Sequence, residues 1–150
     1  MTKVHDYYQI SLKLLIKNRN NEVLLLKVED GGKYHGYYDF PGGRIDEDEF
    51  KTDLTKILQR EVEEEVGNEI KYQLLTEVPV GYGRHEDFSH RLNKDVRYFY
   101  LLFESEVVSG DIKISDEHAD YAWMPYDEIK NNLDKLFVSG LLECAKMYFK

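Results

Sequence analysis

Apolar and polar residues alternate in the first part of the chain, which is the pattern of β-strands. Residues 8–17 carry apolar side chains at every second position from Ile10 to Ile16, and residues 22–28 form a second apolar run. The intervening residues 18–21 include three asparagines, which are common in turns. The pattern therefore predicts a β-hairpin.

A helical period replaces this alternation over residues 54–66. At about 100° per residue, the apolar side chains of this segment share one broad arc. The arc contains Leu54, Ile57, Leu58, Val62 and Val66. Glu61 and Glu65 fall within the arc, and Glu64 lies at its edge. Glu63 points away from the arc and needs only water.

The three inward glutamates of this helix need a counter-charge. Like charges repel at these spacings, and a buried carboxylate is costly unless it is paired or bound to a cation. Hard oxygen ligands clustered in this way suit Mg²⁺ or Mn²⁺. A solvated acidic face is the usual interpretation of a glutamate run. The inward placement and the preceding Gly42-Gly43 turn favour a metal site instead.

The later segments are assigned from apolar runs and from glycine and proline positions. They predict a strand over residues 70–80, a polar loop over 81–94, the longest strand over 95–108, a short helix opened by Pro125 and a final helix over 136–149. Gly67 and Asn68 supply a stop for the acidic helix. The Ser139-Gly140 pair is expected to break or delay the final helix.

The acidic segment resembles the Nudix box of the Nudix hydrolases. In that box a glycine, five residues, a glutamate and seven further residues precede the run Arg-Glu-aliphatic-any-Glu-Glu-any-Gly-aliphatic. The matching positions here are Gly43, Glu49, Arg60, Glu61, Val62, Glu64, Glu65 and Gly67. Ten residues separate Glu49 from Arg60, so the box carries a three-residue insertion, and Asn68 replaces the last aliphatic residue.

The insertion allows two arrangements. Asp46 and Glu49 have capping-box spacing, so a helix could start early and absorb the insertion before Leu54. Asp53 would then be closer to the acidic position of the standard box. If the insertion bulges out instead, Glu49 keeps the contact with Arg60 that the acidic position of the standard box makes. In either case Arg60 is expected to hold the loop by pairing with Glu49 or Asp53.

The resemblance also implies the architecture. It predicts an α/β fold in which a mixed β-sheet lies between the box helix and the C-terminal helix, as an α/β/α sandwich. All 150 residues are expected to form a single Nudix domain.

Composition limits the classes of partner. A net charge of −9 argues against general nucleic-acid binding, because phosphate contacts require a basic surface. No apolar run approaches a membrane span, so no membrane association is expected. The single cysteine, Cys144, excludes a disulfide within the chain and suits a reducing cytosol, so we expect a cytoplasmic protein. A homodimer is left open.

Site roles follow from the resemblance. Glu61, Glu64 and Glu65 are expected to form the catalytic set and to bind Mg²⁺, with Mn²⁺ as the alternative ion. Glu64 is the first choice for the general base. The structural positions of the box are Gly43, Glu49, Arg60 and Gly67.

The segment 81–94 is predicted to cover the substrate, because it combines glycines with arginine and histidine. The substrate-binding candidates are Arg84, Arg91, Glu117 and Trp123. Further candidates are His85, Glu86, Glu117 and His118 as general bases, His90, Lys94 and Arg97 as phosphate ligands, and Tyr34, Tyr37, Tyr38 and Tyr82 as stacking partners for a base. All of these residue types are also common on ordinary surfaces or in cores.

The resemblance implies a metal-dependent hydrolase that cleaves a diphosphate linkage in a nucleoside diphosphate derivative. A nucleoside triphosphate and a nucleotide sugar are the two expected substrate types. The alternative is a non-catalytic nucleotide-binding sensor or interaction module of the same fold. The intact glutamate set favours the enzyme, and metal-dependent turnover distinguishes the two.

Overall fold

A mixed β-sheet forms the centre of the molecule. The computed structural model describes residues 2–29, 33–115 and 118–150, which contain an eight-stranded sheet. The strands are β1 Gln9–Lys17, β2 Glu22–Val28, β3 Tyr38–Asp39, β4 Gly42–Arg44, β5 Lys71–Leu74, β6 Gly81–Ser89, β7 Lys94–Ser109 and β8 His118–Pro125. β1 runs parallel to β7 along its whole length, and the other strand pairs are antiparallel.

Helices cover both faces of this sheet. They are α1 Leu54–Val66, α2 Tyr126–Lys130, α3 Leu133–Leu136 and α4 Ser139–Tyr148, and a 3-10 turn spans Glu47–Glu49 before α1. α1 packs on one face, and the three C-terminal helices pack on the other. The predicted α/β/α sandwich with a mixed sheet is confirmed. No helix in the described part of the chain has the length and apolar composition needed to cross a membrane.

The alternation in β1 divides the core into two clusters. Leu12 and Leu14 are fully buried against Ile57 and Val62 of α1. Leu15 points to the opposite face, where it joins the cluster around the C-terminal helices. Burying each of these side chains contributes about 1.5–3 kcal/mol, so residues on both faces of the strand stabilise the fold.

The predicted hairpin has the expected strands but an unexpected pairing. The Asn18 side-chain oxygen accepts hydrogen bonds from the N–H groups of Asn20 and Glu22, at 2.9 and 3.0 Å, which fixes the turn. β1 and β2 pair beside this turn, at Lys17 and Val23. Most of β2 pairs with β8 instead, so the two strands separate and leave room for β4 beside β1.

Two of the later predictions are wrong. The strand expected over residues 70–80 is limited to Lys71–Leu74. The loop expected over residues 81–94 is mostly β6, which forms an antiparallel hairpin with β7. β6 has few apolar side chains on either face, so its sequence lacks the alternation that marks a half-buried strand. The long strand is confirmed as β7, and the final helix begins at Ser139.

The box insertion lies before the helix. Glu49 accepts a hydrogen bond from the Asp46 N–H at 2.8 Å, which completes the predicted capping box around the 3-10 turn. The chain then leaves the turn at Phe50, whose surface is 91% exposed, and α1 begins at Leu54. The insertion is taken up before Leu54, but as a bulge after the 3-10 turn rather than by an early start of α1. The prediction is therefore confirmed for the place of the insertion and wrong for its form. Leu54 itself is 47% exposed, so its assignment to the buried arc is wrong; it lies in the first turn, beyond the sheet contact.

Candidate active site

A cleft of about 640 Å³ opens beside α1, β4 and the middle of β1. One group of its lining residues, here called the acidic wall, comprises Asp46, Arg60, Glu61, Glu64 and Glu65. A second group, here called the aromatic wall, comprises Tyr34, His85, Tyr98 and Tyr100. A cleft of this volume falls within the usual range for small-molecule sites.

Glu65 is the most deeply placed member of the acidic wall. It is only 3% exposed, and its Oε1 accepts a hydrogen bond from the Gly42 N–H at 2.8 Å. Its Oε2 lies 3.2 Å from Nδ1 of His118. The helical phase of α1 buries Glu65 and the glycine turn supplies the donor, so the sequence itself accounts for this carboxylate's position.

Glu61 and Gly43 depend on each other sterically. A Cβ atom at position 43 would lie 2.0 Å from Glu61 Oε2, so a side chain there would displace the carboxylate. Burial raises the pKa of Glu61, although the Arg60 guanidinium opposes this shift. The charged form of Glu61 is therefore under-compensated in the protein and would gain from a second cation.

Arg60 is the cation that the acidic wall carries at present. Its Nε and Nη2 donate to the two oxygens of Glu49 at 3.0 and 2.6 Å. Its Nη1 donates to Glu61 Oε1 at 2.8 Å and to Glu64 Oε1 at 3.1 Å. These contacts raise the pKa of Arg60 further above its ordinary value, with Glu49 as the largest cause. Since Arg60 binds Glu49, the arrangement in which Asp53 replaces Glu49 is wrong.

The acidic wall fits a divalent ion by its chemistry. Glu61, Glu64 and Glu65 supply hard carboxylate oxygens, which Mg²⁺ and Mn²⁺ prefer. Within the described ranges, no three His, Cys, Asp or Glu side chains are arranged to hold an ion. Arg60 bridges Glu61 and Glu64 in this conformation. Ion binding would therefore exchange part of the Arg60 pairing for metal contacts.

The cleft is floored by the polar face of three adjacent strands. Paired residues on neighbouring strands point to the same face of a sheet. The relevant pairs are Ser11 with Tyr100, Gln9 with Tyr98, and His85 with Tyr98. Lys13 follows Ser11 on the same face of β1 and also lines the cleft.

Lys13 and Asp39 form a buried ion pair in this floor. The Lys13 side chain is 8% exposed, and its Nζ lies 3.0 Å from Asp39 Oδ2. Burial alone would lower the pKa of Lys13, but Asp39 and Glu65 outweigh it and raise the pKa above its ordinary value. Asp39 Oδ1 is buried, and no donor in the described part of the chain reaches it.

His85 holds Tyr34 in place beside the cleft. The Tyr34 hydroxyl donates to Asp87 Oδ2 at 3.1 Å and lies 2.8 Å from His85 Nε2. Because the hydroxyl has one proton, His85 Nε2 donates to Tyr34, and Nδ1 accepts from the Ser139 hydroxyl at 2.8 Å. Lys33 also pairs with Asp87, at 3.2 Å. The segment carrying Tyr34 is thus fastened to β6 and α4.

A smaller recess of about 230 Å³ adjoins the cleft. Five residues line both spaces, namely Tyr34, Asp39, His85, Tyr100 and His118. The remaining lining of the recess consists of Val28, Tyr37, Tyr38, Val138 and Leu141. The cleft therefore continues from the acidic wall into an aromatic and aliphatic recess that contains the Lys13 partner Asp39.

The structure brings some of the predicted substrate-binding residues into this region and leaves others outside it. His85, His118 and Tyr34 line the cleft, and Tyr37 and Tyr38 line the recess. The candidates that line neither space are Arg84, Glu86, His90, Arg91, Lys94, Arg97, Tyr82 and Trp123. Glu117 lies outside the described residues.

Strand geometry and core packing explain why three of these predicted residues lie outside the site. Arg84 precedes the inward-facing His85 on β6, so strand alternation turns it to the exposed face. Arg91 is exposed in the turn between β6 and β7. Trp123 packs against the core cluster beneath α1. The assignment of these three residues to the substrate site therefore has no support from their positions.

Sequence reasoning also missed several residues that line the cleft, namely Ser11, Lys13, Asp39, Arg44, Asp87, Tyr98 and Tyr100. A signal for Lys13 was present, because it is a charged residue flanked by leucines on both sides in the strand sequence. Buried lysines are rare unless they are paired. Its partner Asp39 could not be inferred, since their contact depends on how β3 is placed beside β1.

The comparisons with known proteins agree with this geometry. The model of the NUDIX domain family matches residues 8–141. The chain therefore belongs to the Nudix family, and it is a pyrophosphohydrolase of that family. Nudix hydrolases generally use divalent metal ions, which agrees with the donor chemistry of the acidic wall.

Individual relatives support the same assignment. The nucleoside triphosphatase NudI of Escherichia coli O81 (strain ED1a) is 28% identical over 119 residues, which cover 77% of this chain and 80% of NudI. The crystal structure of a MutT protein from Methanosarcina mazei Go1 aligns with a TM-score of 0.67 at 26% identity, covering 97% of this chain and 94% of that one. A Nudix hydrolase from Nitrosomonas europaea shares the fold at a TM-score of 0.61 and 21% identity, covering 95% and 88%.

Proposed function

We propose that this enzyme hydrolyses a phosphoric anhydride bond of a nucleoside triphosphate in a reaction that depends on Mg²⁺. The observation that carries the proposal is the continuity of the acidic wall with an aromatic recess in one cleft. The acidic wall suits a metal-bound polyphosphate, and the recess suits a planar organic group. A nucleotide combines both parts.

Glu61, Glu64 and Glu65 are the proposed metal ligands. Bound there, a divalent ion would neutralise the polyphosphate and make water a better nucleophile at neutral pH. Gly42 orients Glu65 through its N–H, and Arg60 orients Glu61 and Glu64. Mn²⁺ accepts the same oxygen ligands and is the alternative ion.

Glu64 is the proposed general base. Its side chain is 58% exposed, so it has access to water that Glu65 lacks. Among the described residues, its one hydrogen bond is with Arg60 Nη1, at 3.1 Å, which leaves its second oxygen available for a proton. No such access exists at Glu65, whose oxygens contact Gly42 and His118.

A nucleoside triphosphate is preferred to a nucleotide sugar on two grounds. NudI, which resembles this chain over most of its length, is a nucleoside triphosphatase. The acidic wall also carries four carboxylates, Asp46, Glu61, Glu64 and Glu65, which favour an anion only when metal ions reverse their charge. A triphosphate brings more metal-binding oxygens than a diphosphate sugar does.

A hydrolysis screen tests this proposal. The purified protein is incubated with the common ribo- and deoxyribonucleoside triphosphates and with nucleotide sugars, each with Mg²⁺, with Mn²⁺ and with excess chelator. Pyrophosphate and phosphate are measured separately, which identifies the bond that is cleaved. We expect turnover of triphosphates that the chelator abolishes.

Three results would contradict the proposal. Turnover restricted to nucleotide sugars would reverse the substrate preference. Nucleotide binding by calorimetry without turnover under any metal condition would support the sensor or interaction module. Turnover that persists in excess chelator would remove the metal from the reaction.

A further inference from the structure

Arg60 bridges two of the three glutamates that are the proposed metal ligands. Its Nη1 donates to Glu61 Oε1 at 2.8 Å and to Glu64 Oε1 at 3.1 Å. The guanidinium therefore places a positive charge between two carboxylates that would otherwise repel each other. In this conformation Arg60 is the counter-ion of both glutamates.

The other side of the same guanidinium is anchored by Glu49. Nε and Nη2 donate to the two Glu49 oxygens at 3.0 and 2.6 Å, and Nη2 also lies 3.4 Å from Asp46 Oδ2. Bidentate pairing of this kind fixes the plane of a guanidinium. The Arg60 side chain can therefore lose its Nη1 contacts and still be held at the acidic wall.

A divalent ion bound by Glu61 and Glu64 competes directly with Nη1. The ion takes carboxylate oxygens that now accept from Arg60, and it repels the guanidinium because both are positively charged. The exchange is inexpensive at Glu64, which is 58% exposed, since ion pairs at the solvent boundary contribute little. Ion binding therefore frees two N–H donors on Nη1 while Glu49 retains the guanidinium.

The freed donors have a suitable acceptor in the substrate. Arg60 lines the cleft together with Glu61 and Glu64, so Nη1 remains at the cleft surface after it leaves them. Phosphate oxygens accept strong, charge-assisted hydrogen bonds from a guanidinium. Lys13, which also lines the cleft, is already paired with Asp39. Arg60 is therefore the better placed cation to receive a polyphosphate once an ion is bound.

We propose that Arg60 exchanges Glu61 and Glu64 for the substrate polyphosphate when the divalent ion binds. Without polyphosphate Arg60 opposes the ion, and with the ion in place it binds phosphate oxygens through Nη1. The ion and the polyphosphate thus strengthen each other's binding, and this coupling is reciprocal. The inference rests on the proposed metal ligands. The orientation that Arg60 gives the two glutamates is then the one they have before the ion arrives.

The first experiment measures Mn²⁺ binding by calorimetry in the absence of nucleotide. The unmodified protein is compared with Arg60→Gln. We expect the variant to bind Mn²⁺ at least about threefold more tightly, because two partly exposed ion pairs no longer oppose the ion. If Arg60 only oriented the glutamates for the ion, its loss would weaken binding. Unchanged or weaker binding would overturn the proposal.

Arg44→Gln is the matched control for charge. Arg44 lines the same cleft, but its Nη1 donates to Gln9 Oε1 at 2.8 Å and its guanidinium lies 5.5 Å from the centroid of the Tyr98 ring. The change removes the same charge without touching the Glu61 and Glu64 contacts. We expect a smaller gain in Mn²⁺ affinity than in Arg60→Gln. Equal gains would mean that the net charge of the cleft controls affinity, and would overturn the proposal.

The second experiment measures phosphate binding with the ion present. Methylenediphosphonate, a diphosphate analogue that cannot be hydrolysed, is titrated into each protein at saturating Mg²⁺. We expect Arg60→Gln to bind it at least about threefold more weakly, because charge-assisted hydrogen bonds are lost. Damage to the fold would weaken the binding of Mn²⁺ and of the diphosphonate together, whereas the exchange changes them in opposite directions. Equal diphosphonate affinity would overturn the proposal.

A crystal structure of the unmodified protein with Mg²⁺ and methylenediphosphonate decides the question if Arg60→Gln does not fold. Nε and Nη2 of Arg60 should remain on Glu49, and Nη1 should contact a phosphonate oxygen in place of Glu61 and Glu64. An Nη1 that keeps both glutamates beside a bound ion would overturn the proposal.

Failure of this inference is separable from failure of the proposed function. If hydrolysis depends on Mg²⁺ but Arg60→Gln binds Mn²⁺ no more tightly than the unmodified protein, the inference fails and the proposed function stands. If neither protein binds Mn²⁺, the proposed metal ligands are wrong and both fail.

Discussion

The acidic wall and the Lys13–Asp39 pair are two charged groups in one cleft, built in opposite ways. In the acidic wall, Glu64 is 58% exposed and shares Arg60 with Glu49 and Glu61. In the floor, Lys13 is 8% exposed and lies beside a single closely bound carboxylate. The acidic wall is only partly compensated by Arg60 at the solvent boundary, whereas Lys13 is compensated by Asp39 within the sheet.

The two groups differ in how easily their ion pairs can open. Arg60 spreads its donors over several carboxylates, so a metal ion can replace part of its pairing at low cost. The Lys13–Asp39 pair would leave a buried charge without a partner if it opened, which is strongly unfavourable. The contacts of the acidic wall are thus exchangeable, whereas the Lys13–Asp39 contact is a permanent part of the sheet.

The largest expected effect comes from breaking the acidic wall. Glu64→Gln should lower kcat by about 10²–10⁴-fold, the usual contribution of a general base. Its Tm should stay close to that of the unmodified protein, because the side chain is exposed and loses only a contact with Arg60. Steady-state kinetics with Mg²⁺ and a thermal melt measure the two effects.

Glu63→Gln is the matched control for that change. Glu63 directly precedes Glu64 on α1. Its exposed side chain accepts a hydrogen bond from Gln59 on the outer face of the helix. Its kcat should be unchanged. Equal losses in the two variants would mean that helix charge, rather than the position of Glu64, controls activity.

The adjacent glycines of the box should give opposite phenotypes, which sharpens the division between chemistry and scaffold. Gly43→Ala would place its Cβ 2.0 Å from Glu61 Oε2, at the end of a flexible side chain that can move away. We expect kcat/KM to fall more than about tenfold with little change in Tm.

Gly42→Ala should instead destabilise the fold. Its Cβ would lie 2.0 Å from the backbone oxygen of Leu12, and its φ of 143° is rare for residues with a side chain. We expect a loss of about 3 kcal/mol in the free energy of unfolding, as for overpacking against a rigid neighbour. Denaturant titration of both variants tests the contrast, which fails if Gly43→Ala is the less stable of the two.

A smaller effect is expected at the base of the insertion. Glu49→Gln removes a carboxylate that binds Arg60 through both oxygens and accepts from the Asp46 N–H. Asp53 is the N-cap of α1, but its side chain makes no capping hydrogen bond. Glu49→Gln should therefore lower Tm more than Asp53→Asn does. The reverse order would mean that Asp53 has taken over the role of Glu49.

The stability difference between Glu49→Gln and the unmodified protein should depend on pH. The Arg60 guanidinium, as the largest cause, lowers the pKa of Glu49. A lowered pKa stabilises the fold above the unfolded value of about 4.3 and loses this contribution as the pH falls through the folded value. The Tm difference should therefore be full at pH 7 and shrink below about pH 4. A difference independent of pH would contradict the charge-based explanation.

The smallest expected effect is at Arg84 and Arg91, which the sequence predicts to bind substrate. Both are exposed and neither lines the cleft or the recess. We expect the double change to glutamine to leave kcat and KM within about twofold of the unmodified values. A clear rise in KM would return Arg84 and Arg91 to the substrate site.

The acidic wall could be predicted from sequence because it lies on one helix. Helical spacing places Glu61, Glu64 and Glu65 relative to the apolar residues of the same segment, so the local pattern contains the geometry. The contact of Arg60 with Glu49 required one further choice, which the structure decides in favour of the bulged insertion.

The aromatic wall and the recess could not be predicted in the same way. One face of β6 packs against α4 through Gly81 and Gly83 and continues into the cleft, and the other face is largely exposed. Neither face has the regular apolar residues of a half-buried strand, so β6 has the composition of a loop. The positions of Lys13, Asp39 and Tyr100 relative to one another depend on the register of three strands that are distant in sequence. Local patterns do not determine that register.

The parallel pairing of β1 with β7 also has a consequence for the order of folding. The Ser105 hydroxyl donates to the Leu15 carbonyl oxygen across 90 residues of sequence, and the strands beside them pair along nine positions. Contacts of such separation form slowly, because a long segment of chain must be closed before they contribute. During synthesis, β1 must wait for β7 to leave the ribosome before it gains its central neighbour. Until then, the apolar residues of β1 lack a completed sheet, so the nascent chain should be most prone to aggregation in that interval.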